Sequence, residues 1–306
     1  MKRILITGAS GLLGGNLLLG LPKDWEIVGI THTFPLREDS NRTILQADLE
    51  REDIAVLCKP CEPFDAIIHT AALTNVDTCE KEKEKAMHLN ARIPEKLAQY
   101  AHASGAHLIH ISTDQVFDGK KGHYTEESLM NPVNHYGKTK MEGEDCVRKS
   151  GCMSTIIRTN LFGFNVQEKH DFAGWILNSL QVGKELELFE DVRFSIILAN
   201  DLVDAIADII ERRLTGTLHI GSVDQCSKYE FGLRLAETFE LSTNDIRAAS
   251  VDDVGLTARR PHDMTMDVSL ASKSLKNPLP TIDRCIAKYK ELADNGFSSL
   301  LRSLRP

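Results

Sequence analysis

The chain has 306 residues, with 36 basic and 44 acidic side chains and a formal charge of −8. An apolar fraction of 42% and the lack of any low-complexity block exclude a disordered chain. The acid excess argues against a general nucleic-acid or acidic-membrane surface, and at about 150 residues per domain the length fits one large domain or two. Ile4–Thr7, Glu26–Thr31, Thr43–Gln46, Ala66–His69 and His107–Ser112 are short runs rich in Ile, Val or Leu, and are predicted as buried strands. Amphipathic stretches separate them. The clearest, Glu84–His102, carries Ala86, Leu89, Ile93, Leu97 and Ala101 at the spacing of one helix face. Strands alternating with helices predict an α/β fold with a doubly wound parallel sheet. Thr155–Arg158 and Thr217–Ile220 add strands, the second after a helix at Leu202–Arg213. Residues 164–197 and 223–306 are richer in loops, with a helix at Lys228–Phe239. They are read as a smaller α/β substrate-binding domain, and 1–163 with 198–222 as a Rossmann dinucleotide-binding domain.

Seven scattered cysteines, with one lone C-x-x-C at Cys58–Cys61, form neither a disulfide framework nor a zinc-finger pattern. Met1-Lys2-Arg3 and the apolar residues after it imitate a signal peptide, but the run breaks at Thr7–Gly11. No apolar run reaches the ~18 residues of a membrane span. A cytoplasmic protein with no metal is expected.

Directly after the first strand stands Gly8-Ala9-Ser10-Gly11-Leu12-Leu13-Gly14, a G-x-x-G-x-x-G turn at a strand-to-helix junction. Gly8 permits a tight turn, Gly11 lets backbone approach a pyrophosphate, and Gly14 lets the helix lie close to the sheet. Free N–H groups and the positive end of the helix dipole face the phosphates. An NAD site carries an acid at the end of the second strand. Here that strand ends in Thr31-His32-Thr33, with Arg37 nearby and no carboxylate. This predicts NADP(H) over NAD(H), through Thr31, His32 and Arg37. Asp48 and Leu49, after the third strand, are placed for adenine, or as a plain helix cap.

Tyr136-Gly137-Lys138-Thr139-Lys140 gives Y-x-x-x-K, which sets Tyr136 and Lys140 on one helix face. Thr113 stands at the carboxyl end of the fifth strand, the edge where open α/β sheets bind ligands. Reducing a ketone by hydride leaves an alkoxide that needs a proton. A free phenol has a pKa near ~10. An ammonium ~4–5 Å away, at an effective dielectric of about 20, favours phenolate by roughly 3–4 kcal/mol, or ~2–3 pKa units. Tyr136 is therefore the expected acid, Thr113 orients the carbonyl, and Lys140 also binds the cofactor ribose. Pro94 lacks an N–H, so the carbonyl of Asn90 loses its helical partner and is free to relay protons to Lys140 through a water; a mere kink is the alternative.

These residues together resemble the extended short-chain dehydrogenase/reductases, and within them the dTDP-4-dehydrorhamnose reductase family, over nearly the whole chain. The carrying segments are Gly8–Gly14, Thr70-Ala71-Ala72, Val76-Asp77 with Glu80, Ile111-Ser112-Thr113-Asp114-Gln115-Val116-Phe117-Asp118-Gly119, the Tyr136–Lys140 motif, Arg158-Thr159, and Ala258-Arg259-Arg260-Pro261 with Asp267. The resemblance implies a catalytic set of Thr113, Tyr136 and Lys140. It also implies cofactor contacts at Gly8–Gly14 and Thr70–Ala72, and sugar contacts at Val76, Asp77 and Asp114. Arg260, beside Arg259, is a candidate for the substrate's diphosphate. Gln115 replaces the Glu of the related dehydratases, which argues against elimination. The expected reaction is hydride reduction of a nucleotide-linked 4-keto-6-deoxy sugar.

Two departures stand out. No Trp follows Arg158-Thr159, and Arg193-Phe194-Ser195-Ile196-Ile197 replaces a Gly-Ser-Pro-Thr-like segment. Both bring the chain nearer to the NADP-binding regulatory subunit of methionine adenosyltransferase, a partner protein on the same fold. That subunit, or another extended epimerase or reductase, is the alternative reading. Extended relatives often dimerise, so a homodimer is compatible with the resemblance.

Overall fold

The computed structural model describes every residue from Met1 to Pro306. Six parallel strands come first: β1 (Arg3–Thr7), β2 (Glu26–Thr31), β3 (Arg42–Gln46), β4 (Ala66–His69), β5 (His107–Thr113) and β6 (Ser154–Phe162). Then follow β7 (Leu186–Phe189), β8 (Arg193–Phe194), β9 (Ile196–Leu198), β10 (Gly216–His219), β11 (Cys226–Ser227) and β12 (Ile246–Ala249). The main sheet runs β3-β2-β1-β4-β5-β6-β10, with β9 against the far end of β6. All its pairings are parallel. The strand order reverses between β1 and β4, and such a switch point opens a crevice at the carboxyl ends of the strands.

The helices are α1 (Leu12–Gly20), α2 (Ile54–Cys58), α3 (Val76–Lys81), α4 (Lys83–Met87), α5 (Ile93–Ser104), α6 (His135–Lys149), α7 (Phe172–Gln181), α8 (Ala199–Arg212), α9 (Lys228–Thr238), α10 (Ser269–Ser274), α11 (Ile282–Asp294) and α12 (Phe297–Arg302). Alternating strand residues feed opposite faces. Ile4 and Ile6 join Leu17 of α1 and Leu202 and Ile206 of α8, whereas Leu5, Ile67 and Leu108 join Leu97 of α5 and Val147 of α6. The first cluster continues without a break into Ile176 of α7, Phe231 of α9 and Ile286 of α11. The small sheets, β7 with β12 and β8 with β11, are thus carried by helices that share the core of the large one.

Two elements differ from expectation. The single helix over Glu84–His102 is broken by a π turn at His88–Arg92, where the Ile93 N–H bonds to the His88 carbonyl. Pro94 supplies no donor to the Asn90 carbonyl, and the wider turn absorbs the fault. The strand expected to end at Arg158 continues to Phe162, because Asn160–Phe162 pairs with Ile196–Leu198. No helix is long and apolar enough to cross a membrane.

Candidate functional site

Gly8 turns out of β1 with φ +71°. A Cβ there would lie 2.7 Å from the Ala71 nitrogen and 2.8 Å from its Cα, so the turn rests directly on the backbone after β4. The Thr70 hydroxyl donates to the Thr7 carbonyl (2.7 Å) and fastens the two loops. A Cβ on Gly14 would collide with the Gly8 carbonyl and the Ala9 backbone. Gly11 caps α1 with no side chain over its end, and its own N–H bonds to Gly8 (2.9 Å). The N–H groups of the first turn, from Leu12 on, have no intrahelical acceptor. Ser10 offers its carbonyl to Gln167 Nε2 (2.9 Å), while Ala71 and Ala72 lie half-buried beside the turn.

Beyond β2, Thr31 is buried and its hydroxyl has no partner. It lies beneath the surface on which it was expected to act. His32 is exposed, with Nε2 4.0 Å from Asp48 Oδ2, and Asp48 also holds Arg51 at 3.3 Å. Leu49 packs against the α5–α6 core. Arg37 is exposed and uses its backbone N–H on the Leu304 carbonyl (2.7 Å).

At the carboxyl end of β5, Thr113 is buried and donates to Asp114 Oδ1 (3.0 Å). Tyr136, near the start of α6, is buried against Leu73, Val76, Cys79 and Ala86. Burial pushes its phenol up, the Thr113 hydroxyl pulls it down, and Asp114 and Cys79 raise it further. This corrects the expected lowering by Lys140. That ammonium donates instead to the Ile111 carbonyl (2.7 Å), and burial brings it down to about 8 against the opposing pull of Glu144. The net effect of these surroundings is to favour the protonated phenol.

Asn90 lies fully buried in the π turn. Its amide bonds to both backbone groups of Leu73 (2.8 and 3.0 Å) and to Thr139 Oγ1 (3.0 Å). Its carbonyl abuts Gly143 of α6, one turn beyond Lys140, where a Cβ would collide with it. The freed carbonyl thus faces the helix that carries Lys140.

One turn after Lys140, the fully buried Glu144 accepts from Arg158 (2.8 Å), Arg148 (2.6 Å) and Ser112 (2.5 Å). Burial alone would raise its carboxyl, but these partners hold it below its ordinary value. The bonds from Ser112 and Arg158 lock α6 to β5 and β6. Asp118 accepts from Tyr124 (2.6 Å), so the end of the Ser112–Gly119 run is a loop brace.

Asp114 is buried, pushed up to about 6 by burial against bonds from Asn160 (2.7 Å) and Thr113 and the charge of Lys228. Asp77 and Arg260 bind each other (2.8 Å), and Ala258 closes the same clasp from its N–H (2.8 Å) and its carbonyl (2.7 Å). Arg259 is exposed, and its carbonyl accepts from Asn134 (3.0 Å). Trp175 is 38% exposed and stacks near Phe172 (6.1 Å). Sequence reasoning missed Asn160 and Lys228. Asn160 looked like a loop residue, and Lys228 opens an ordinary amphipathic helix. Only the tertiary fold brings them to Asp114.

The family model described as the RmlD substrate binding domain matches residues 1–292. Methionine adenosyltransferase 2 subunit beta of Rattus norvegicus is 30% identical over 289 residues, covering 88% of this chain and 81% of its own. The probable low-salt glycan biosynthesis reductase Agl14 of Haloferax volcanii is 28% identical, covering 96% and 99%. The crystal structure of dTDP-4-dehydrorhamnose reductase from Bacillus anthracis in complex with NADP superposes with a TM-score of 0.84 and 26% identity, over 95% of this chain and 99% of that one. With a family match across nearly its whole length and this superposition, the chain belongs to the RmlD substrate binding domain family, on the extended short-chain dehydrogenase/reductase fold.

Proposed function

We propose that this chain is an NADP(H)-dependent reductase that converts the ketone of a nucleotide-linked 4-keto-6-deoxy sugar to an alcohol. The observation that supports the reading is the approach of the Thr113 hydroxyl, at the carboxyl end of β5, to the Tyr136 phenol, with Lys140 buried one turn further along α6. The turn at Gly8 fits a dinucleotide: a Cβ at Gly8 or Gly14 would close it, and the open end of α1 offers N–H groups to a pyrophosphate. Gly8, Ser10, Gly11, Leu12 and Gly14 would hold the phosphates, Thr70–Ala72 would flank the nicotinamide end, and Asp48 and Leu49 the adenine. The exposed His32 ring and Arg37 guanidinium would face a 2′-phosphate. When bound, the cofactor supplies the hydride. Residues 1–163 with 198–222 would serve the cofactor, and 164–197 with 223–306 the sugar.

The chain's own groups supply the rest. The Thr113 hydroxyl holds the carbonyl oxygen, and the Tyr136 phenol gives that oxygen its proton. Burial keeps the phenol protonated until the alkoxide forms. Lys140 holds the cofactor ribose, and the Asn90 carbonyl faces the same helix face. Oxidation of NADPH by a dTDP-4-keto-6-deoxyhexose tests the reading. Tyr136→Phe is expected to lower kcat by about 10²–10⁴-fold and leave the NADPH dissociation constant within about twofold. Unchanged turnover removes Tyr136 from the role. Tighter binding of NADH than NADPH overturns the cofactor preference.

The likeness to methionine adenosyltransferase subunit beta supports a second reading, a regulatory protein that holds NADP and a partner chain. Tight NADPH binding with no turnover on any keto-sugar nucleotide would favour it.

A further inference from the structure

Lys228 is the first residue of α9, whose start is fixed by a capping box between Ser227 and Glu230. Its backbone N–H bonds to the Val192 carbonyl (3.0 Å). Its ammonium lies 5.4 Å from the ring centre of Phe172 and 5.7 Å from that of Phe189. Two rings lie near the ammonium, yet no acceptor bonds it and no carboxylate pairs with it.

The neighbouring charges are Asp114 and Arg260. Asp114 is already bonded by Thr113 and Asn160. Arg260 is already bonded by Asp77 and the Ala258 carbonyl. Lys228 is half-buried and left with three donors that no protein group accepts, beside another cation. Burial and then Arg260 bring it down to about 8, and Asp114 opposes them. Desolvating an ammonium without an acceptor is unfavourable, and a second positive charge nearby makes it more so. A multiply charged anion entering between them reverses both penalties.

We infer that Lys228 is a substrate-binding residue whose ammonium takes an anionic oxygen of the substrate's diphosphate, alongside the Arg260 clasp. The inference rests on the sugar-nucleotide reading and gives it an anchor beside the acidic end of the site at Asp114. A charge-assisted hydrogen bond of this kind is worth about 10–100-fold in affinity.

Calorimetric titration of dTDP into the NADPH-loaded protein tests it, using the wild type, Lys228→Met and Lys228→Arg. Met keeps an apolar stem near the two rings and removes the charge. The expected result is a dTDP dissociation constant raised about 10–100-fold in Lys228→Met and largely restored in Lys228→Arg. NADPH affinity should hold within about twofold in both. A Met variant that binds dTDP as the wild type does overturns the assignment. So does a Met variant that loses NADPH and dTDP alike, which would make Lys228 a packing residue. A wild type that binds no dTDP while binding NADPH overturns the sugar-nucleotide reading itself, and the inference with it.

Discussion

Asp114 holds a carboxyl where burial opposes its charge, with two donors and a nearby ammonium partly offsetting the penalty. Its folded value of about 6 lies above the ~3.9 of an unfolded aspartate. The folded chain therefore holds that proton more tightly, and stability falls as pH rises from about 4 to about 6. Asp114→Asn keeps the shape and removes the titration. Relative to this variant, the wild type should lose up to about 3 kcal/mol between pH 4 and pH 7, read from urea unfolding at each pH. An offset between the two proteins that does not change with pH refutes the assignment. Such a residue is retained at the expense of stability, which is how a site for ligand differs from a core position. From the sequence, Asp114 could be named only through its neighbours in the Ser112–Gly119 run. Its burial and its bond from Asn160 arise because β6 runs on past Arg158, and a polar Asn after Thr159 gives no hint of that.

Helix α6 is the part that turns these residues into a unit. Its inner face carries Tyr136, Gly137, Thr139, Lys140, Gly143 and Glu144, all buried. The pairing of Tyr136 with Lys140 was readable in advance, because i and i+4 share a face in any helix. The two glycines were not, since their reasons lie in other segments. Gly137 admits the Gln115 carbonyl and Pro132, and Gly143 admits the Asn90 carbonyl of the π turn. Pro94 signalled that the Asn90 carbonyl would lose its partner, but the π turn that accommodates it is settled by packing against α6. Gly143→Ala puts a methyl group against that carbonyl, a backbone atom that cannot swing aside. The helix must then lift away from the π turn and carry Lys140 with it. The expected cost is about 1–3 kcal/mol of stability, and about 10²-fold in kcat for a displacement near ~1 Å. Thermal unfolding and turnover at saturating NADPH read the two effects. Full activity in a folded Gly143→Ala protein would show that the approach of α6 to Asn90 does not matter to the site.

The site is closed by ties between segments far apart in the chain, and these lie beyond the reach of local sequence patterns. Arg260 reaches Asp77 across 183 residues, and Gln167 reaches the Ser10 carbonyl across 157. The glycine turn itself was plain from residue 8 onward, because a strand, a G-x-x-G-x-x-G and a helix are contiguous. What covers it was not. Residues 164–168 lie over α1, with Asn16 bonded to the Phe164 carbonyl (2.8 Å) and Val166 packed on Gly15. Arg305 holds that cover. Its Nε donates to the Val166 carbonyl (2.8 Å), its Nη1 pairs with Glu168 (2.9 Å), and its guanidinium stands 5.8 Å from the ring centre of Phe34, beyond β2. Leu304 meanwhile accepts from the Arg37 N–H. One arginine therefore links the loop after β2 to the segment that lies over α1. Arg305→Ala removes one hydrogen bond, worth about 1 kcal/mol, and a solvent-exposed ion pair that adds little, so the fold should persist. The cover over 164–168 should loosen. Amide exchange there is expected to quicken about tenfold, since local opening follows local stability, and NADPH binding to weaken severalfold. Exchange across 164–168 unchanged in Arg305→Ala would mean that Gln167 and Asn16 hold the cover alone.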